Sequence, residues 1–112
     1  MRGMKESSIV KKIKEVMLSI GATCHKMHGS VYMEAGTADL LGTLPGGRAF
    51  YFEVKVPGKK PTPWQEKWLA EEAKRGALVG VVDSLESLYN LIHPYGISPD
   101  RKKDSSFAGR AR

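Results

Sequence analysis

The sequence predicts an α/β fold in which a mixed sheet is flanked by helices, in the order α-β-β-β-α-β-α. Three observations carry that expectation. Apolar residues recur at helical spacing from Ile9 to Ile20, Pro45-Gly46-Gly47 separates two strand-like runs, and a helix opening at Thr62-Pro63 is followed by the apolar run Leu78 to Val82. The turn predicts an antiparallel hairpin. A strand, helix and strand in succession predict a parallel neighbour through a right-handed crossover, so the two connections together require a mixed sheet.

The first helix carries Ile9, Val10, Ile13, Val16, Met17 and Ile20 on one stripe at about 100° per residue. Glu15 falls on the opposite, solvated face, whereas Glu6 projects near the centre of the stripe, where a carboxylate needs a partner. The alternative is that Ser7 or Ser8 caps the helix and leaves Glu6 outside it in water. Met27-His28-Gly29 then leads into a strand from Val31 to Met33. In the hairpin, Phe50, Phe52, Val54 and Val56 point one way and belong to a core, while Tyr51, Glu53 and Lys55 point the other. Thr62 is the N-cap of the second helix, with Pro63 at its first position and Gly76 near its end. Trp68 and Leu69 mark the inward face of that helix, with Gln65 midway between them and Glu72 on the same side without an evident role. After the strand Leu78 to Val82, Asp83-Ser84 caps a short helix, Leu85 to Ile92, stopped by His93-Pro94.

Within this frame two carboxylates stand out. Reflecting Asp39 about position 46 gives position 53, so Asp39 and Glu53 lie opposite each other on neighbouring strands, with Cβ atoms about 4.5–5.5 Å apart. Like charges at that distance repel unless one is protonated or a cation lies between them, and a hard divalent ion with oxygen ligands is the usual resolution. Lys55 projects on the same face, where an ammonium can neutralise a phosphate or orient a water. The plainer reading is an ordinary exposed sheet surface. Gln65 is equally ambiguous, because Thr62-x-x-Gln65 is a capping box as well as a polar group on an apolar face.

Composition agrees with a polyanionic partner. The chain has 112 residues and a net charge of +6, which is one domain with a modest core. Residues 1–97 hold 13 Lys/Arg against 10 Asp/Glu. If three of those acids neutralise an ion, the remaining surface is distinctly basic and suits a phosphate backbone. Lys59 and Lys60, in the loop after Lys55, are candidate nucleic-acid contacts, although lysines in a solvated loop are unremarkable. Residues 98–112 are polar, with five Lys/Arg and two Asp, and read as a disordered basic tail. Cys24, His25 and His28 do not make a complete zinc set. A single cysteine excludes an internal disulfide. No stretch suits a membrane span or a signal peptide, and the expected location is intracellular.

Taken together, Glu6, Gly36-Thr37-Ala38-Asp39-Leu40, Gly42, Phe52-Glu53-Val54-Lys55, Gln65 with Trp68, Gly76 and the strand Leu78 to Val82 resemble a virus-type replication-repair nuclease (VRR-NUC) domain. This is a branch of the PD-(D/E)XK nuclease superfamily, and the resemblance covers about residues 5 to 92. It implies a restriction-endonuclease-like core and a metal-dependent DNA endonuclease that hydrolyses phosphodiester bonds. Glu6, Asp39, Glu53 and the carbonyl of Val54 would hold Mg²⁺ or Mn²⁺. Lys55 would assist the attacking water, and Gln65 would border the site. Ala38 departs from the proline common before the Asp, which loosens strand entry without removing a ligand. Stand-alone, phage-like members are similar to junction resolvases, which implies a homodimer acting on branched DNA such as a Holliday junction; if the chain is viral, its expected place is the cytoplasm of a bacterial host. Trp64, Tyr51 or Phe50 could supply the dimer surface. Two other readings are a catalytically silent DNA-binding module and an RNA-directed nuclease; the complete set of acids and the lysine argues against the first, and no aromatic platform of the RNA-reader type argues for the second.

Overall fold

A computed structural model describes residues 5–27 and 38–95. Its elements are α1 (Glu6–Ser19), β1 (His25–Lys26), β2 (Leu40–Thr43), β3 (Ala49–Val54), α2 (Pro63–Lys74), β4 (Leu78–Val82) and α3 (Leu85–Ile92), followed by one 3-10 turn, His93–Tyr95. The α-β-β-β-α-β-α order is the one expected. The sheet runs β1-β2-β3-β4. β1 and β3 flank β2 in antiparallel fashion, and β4 joins β3 in parallel.

Alternation along β3 decides the layering. Phe50, Phe52 and Val54 are wholly buried and join Ile9, Ile13 and Met17 of α1 and Leu88 and Ile92 of α3 in one core. The rings of Phe50 and Phe52 lie 4.7 Å apart. On the other side of the strand Tyr51 and Glu53 face α2, where Trp68 meets the Tyr51 ring edge-on at 4.9 Å and Leu69 is buried. The result is three layers: α1 and α3, the sheet, and α2. Register in β4 follows the same rule. Gly80 pairs with Phe52 and receives α3, since a Cβ there would lie 2.5 Å from Leu91 Cδ1.

Three expectations change. The described strand preceding the hairpin is β1, a two-residue edge strand of exposed or half-buried polar residues, whose composition carries no strand periodicity. The expected strand Val31 to Met33 lies outside the described residues, as do Gly36 and Thr37 of the motif, the separate candidate His28, and the tail from Ser98. Phe50, considered above for a dimer surface, is wholly buried, because it belongs to the core-facing set of β3. Glu6 is exposed rather than buried. It is the first residue of α1, after Lys5 as an N-cap that makes no side-chain cap bond, so neither Ser7 nor Ser8 caps the helix. A helical wheel gives the direction of a side chain, and at the end of a helix the layer it points toward can already have run out. The buried stripe begins at Ile9.

Candidate active site

The turn brings the two carboxylates together. Leu40 pairs with Phe52 and Leu41 with Tyr51, and one further step along this ladder sets Asp39 opposite Glu53. At that step the backbone ladder gives way to a side chain. Val54 N–H donates to Asp39 Oδ2 at 2.9 Å, while the Asp39 carbonyl accepts from Met27 N–H at 2.7 Å. Asp39 is therefore held from both sides. The N–H and C=O of one strand residue project to the same edge. Lys55 N–H turns the other way, to Val82 O at 3.0 Å, so the Val54 carbonyl lies along the edge that Asp39 borders.

Among the described residues, Glu53 is the one charged side chain that is buried, at 1% exposure. Its Oε2 accepts from Gln65 Nε2 at 2.6 Å and stands 3.5 Å from Lys55 Nζ. Its Oε1 is buried with no donor within reach. Burial, first, and the charge and hydrogen bonding of Asp39, second, push the Glu53 carboxyl up from 4.5 to about 7, against the opposing pull of Lys55. As a carboxylate, Glu53 is under-satisfied by the protein; a proton shared with Asp39, a bound water or a cation between the two carboxylates would each meet the need of Oε1. Two facing carboxylates, one with a buried free oxygen, and an adjacent carbonyl form a hard oxygen donor set of the kind that suits Mg²⁺ or Mn²⁺.

Gln65 resolves its own ambiguity by dividing its amide. The Oε1 atom accepts from Thr62 N–H at 2.8 Å, and Thr62 Oγ1 accepts from Gln65 N–H at 3.2 Å, which closes the capping box. The Nε2 atom is left to donate to Glu53. The double role needs one acceptor and one donor on the same planar group, which glutamine has and glutamate lacks.

The remaining candidates are less gathered. Lys55 is partly covered beside Glu53, and Lys59 and Lys60 are exposed in the loop that follows. Glu6 does not join the pair, and among the described residues no group of three or more His, Cys, Asp or Glu side chains stands close enough to hold an ion. Glu72 pairs with Arg75 at 3.6 Å. Cys24 is in the core, where burial pushes its thiol up to about 11. An open groove of about 470 Å³ runs between the β2–β3 turn and the end of α2, lined by Arg48, Tyr51, Glu72 and Arg75 among others, and contains neither carboxylate of the pair. The contact that sequence reasoning missed is the Val54 amide on Asp39; the hairpin register carried the signal, since it predicts which amide the aspartate faces.

Comparison with known proteins agrees with this geometry. No family model matches the chain. It is 36% identical over 84 residues, covering 75% of its length and 88% of the relative, to "Putative nuclease p44" of Acyrthosiphon pisum secondary endosymbiont phage 1. Among solved structures it is similar to a "VRR_NUC domain" at 35% identity and a TM-score of 0.69, covering 80% of this chain and 96% of that one. A "VRR_NUC domain protein" at 21% identity and a TM-score of 0.61, covering 82% and 88%, shares the fold. With the fold, the hairpin and these similarities in agreement, the chain belongs to the VRR-NUC family of nuclease domains.

Proposed function

We propose that this chain is a divalent-cation-dependent DNA endonuclease that hydrolyses phosphodiester bonds, with a preference for branched or junction DNA and a homodimer as its working form. The observation that carries the reading is the buried Glu53 carboxylate, opposed to Asp39 and left with one oxygen that no protein donor reaches. Asp39, Glu53 and the Val54 carbonyl would hold Mg²⁺ or Mn²⁺, with Glu6 as a further acidic candidate from α1. When bound, such an ion supplies Lewis-acid stabilisation of charge on the phosphoryl oxygens and makes water a better nucleophile.

The chain's own residues do the rest. Val54 N–H holds one oxygen of Asp39 in place, and Gln65 holds one oxygen of Glu53. The acidic pair is thereby oriented before substrate arrives. Lys55 offers a cation beside the pair, placed to position the attacking water or to balance charge on a phosphate. Lys59 and Lys60 extend positive charge into the following loop, where the DNA backbone would run. Residues 1–97 form the nuclease domain in this reading, and 98–112 an additional basic tail. One site cuts one strand, so symmetric cutting of a junction requires two subunits. Among the described residues no helix is long and apolar enough to cross a membrane.

The test is cleavage of labelled duplex, flap, four-way junction and single-stranded DNA with Mg²⁺ or Mn²⁺, wild type beside Asp39→Asn. Cutting that needs the ion and disappears in the variant is the expected result, with the junction or flap cut fastest. Binding without cutting in either metal sinks the reading.

A further inference from the structure

We propose that Trp64 is a stacking platform for an unpaired base of the substrate, so that the preferred DNA carries at least one unstacked nucleotide beside the phosphate to be cut. The inference rests on the nuclease reading above and assigns a residue and a substrate feature to it.

Trp64 is 65% exposed, although an indole is among the side chains that gain most from leaving water. Its position gives the exposure meaning. It is the second residue of α2, immediately before Gln65, the residue whose amide holds Glu53. Positions i and i+4 are neighbours on a helix, so Trp64 continues the row begun by Trp68, which packs on Tyr51, the same-face neighbour of Glu53 on β3. Helical side chains lean toward the N-terminus, and the chain enters α2 at that end from the segment that carries Lys59 and Lys60, four or five residues before Trp64. The capping box and Pro63 fix the first turn of α2, so the ring stands on a preorganised base.

An aromatic face beside exposed lysines is the combination that holds a single strand: phosphates follow the positive charge and bases stack on the ring without regard to sequence. A subunit interface fits less well. Exposed Lys67 lies one helical turn from Trp64, and exposed Lys59 and Lys60 precede it, whereas interface cores are depleted in Lys. A two-fold contact centred here would also bring like charges together.

Binding is measured in EDTA by fluorescence anisotropy with three labelled DNAs: a blunt duplex, the same duplex with a single-stranded flap, and the free strand. Wild type is compared with Trp64→Ala and Trp64→Phe, and each protein is also run in a sedimentation experiment. Trp64→Ala is expected to reduce the preference for flap over blunt duplex by about tenfold, with Trp64→Phe retaining most of it and the thermal midpoint of both unchanged. Equal affinity loss on all three DNAs, no loss at all, or loss that tracks dissociation of a dimer overturns the proposal. Cleavage by the same preparations in Mn²⁺ separates the two readings. Wild type that prefers flap DNA through Trp64 yet cuts nothing removes the nuclease reading alone; wild type that cuts while Trp64→Ala keeps the full preference removes the stacking reading alone.

Discussion

Glu53 is buried at the centre of the candidate site, with Asp39 opposite and Gln65 hydrogen-bonded to one of its oxygens. Its carboxyl is held near 7 when its ordinary value is 4.5, so between those values the folded protein keeps a proton that the unfolded chain has released. The contribution of this group to stability is therefore fully present below about pH 4.5 and is lost as pH rises through about 7. Urea titrations of the metal-free protein from pH 4 to 8 should show this decline after other groups are accounted for, and Glu53→Gln should flatten it while abolishing cleavage. Mg²⁺ or Mn²⁺ should stabilise the wild type more at pH 8 than at pH 5, and Glu53→Gln much less at either. Equal stabilisation of both proteins would mean that the ion binds elsewhere. Gln65 is the second decisive residue. Gln65→Ala removes half of a capping box and a donor to Glu53, and is expected to cost about 1 kcal/mol of stability and about 10–100-fold in cleavage rate. Gln65→Glu keeps the acceptor for Thr62 N–H but sets another carboxylate against Glu53. Its thermal midpoint should fall little at pH 5 and distinctly at pH 8, and a pH-independent change would contradict this account of the amide.

At the scale of elements, the site depends on the β2–β3 hairpin keeping its register, and Gly42 is the residue that guards it. A Cβ at Gly42 would collide with the Thr23 carbonyl and come within 2.8 Å of Phe50 Cε2. The Thr23 segment is in turn bonded to β2 through Thr43, by Thr23 N–H to Thr43 O at 3.0 Å and Thr43 N–H to Thr23 Oγ1 at 2.9 Å. Backbone on one side and a buried ring on the other leave no cheap relaxation. Gly42→Ala is expected to destabilise by about 3 kcal/mol or more, measured by denaturant titration, and to lose metal-induced stabilisation in parallel, since Asp39 lies three residues upstream on the same strand path. The hairpin, the α2 cap and the α3 span were legible because their signals are local. Pro45-Gly46-Gly47, Thr62-Pro63 and Ser84 each act within a few residues. β1 was not legible, because two polar residues at a sheet edge are recruited by β2 and have no pattern of their own.

Across the whole molecule, α1 and the acidic pair stand apart. Glu6 is exposed in the first turn of α1 and is not gathered with Asp39 and Glu53. If an ion draws it in, Glu6→Gln should weaken Mn²⁺-induced thermal stabilisation and lower cleavage about tenfold or more, with the metal-free midpoint almost unmoved. Unchanged stabilisation and cleavage would restrict the ion to Asp39, Glu53 and Val54. The layered arrangement explains why the acidic pair can exist at all: α1 and α3 bury the apolar face of β3, and that leaves the opposite face for Glu53 and α2.

That Asp39 faces Glu53, that Lys55 shares their side, and that Phe52 and Val54 do not can all be read from the residues alone. Those facts follow from a turn and a two-residue alternation, both of which act over short stretches of chain. The packing of distant elements settles the rest: Glu53 is buried with one oxygen unmet by the protein, Gln65 divides its amide between cap and carboxylate, and Glu6 stands in water. Burial and hydrogen-bond partnership depend on where distant elements come to rest, and a periodic pattern gives the direction of a side chain without saying what waits there.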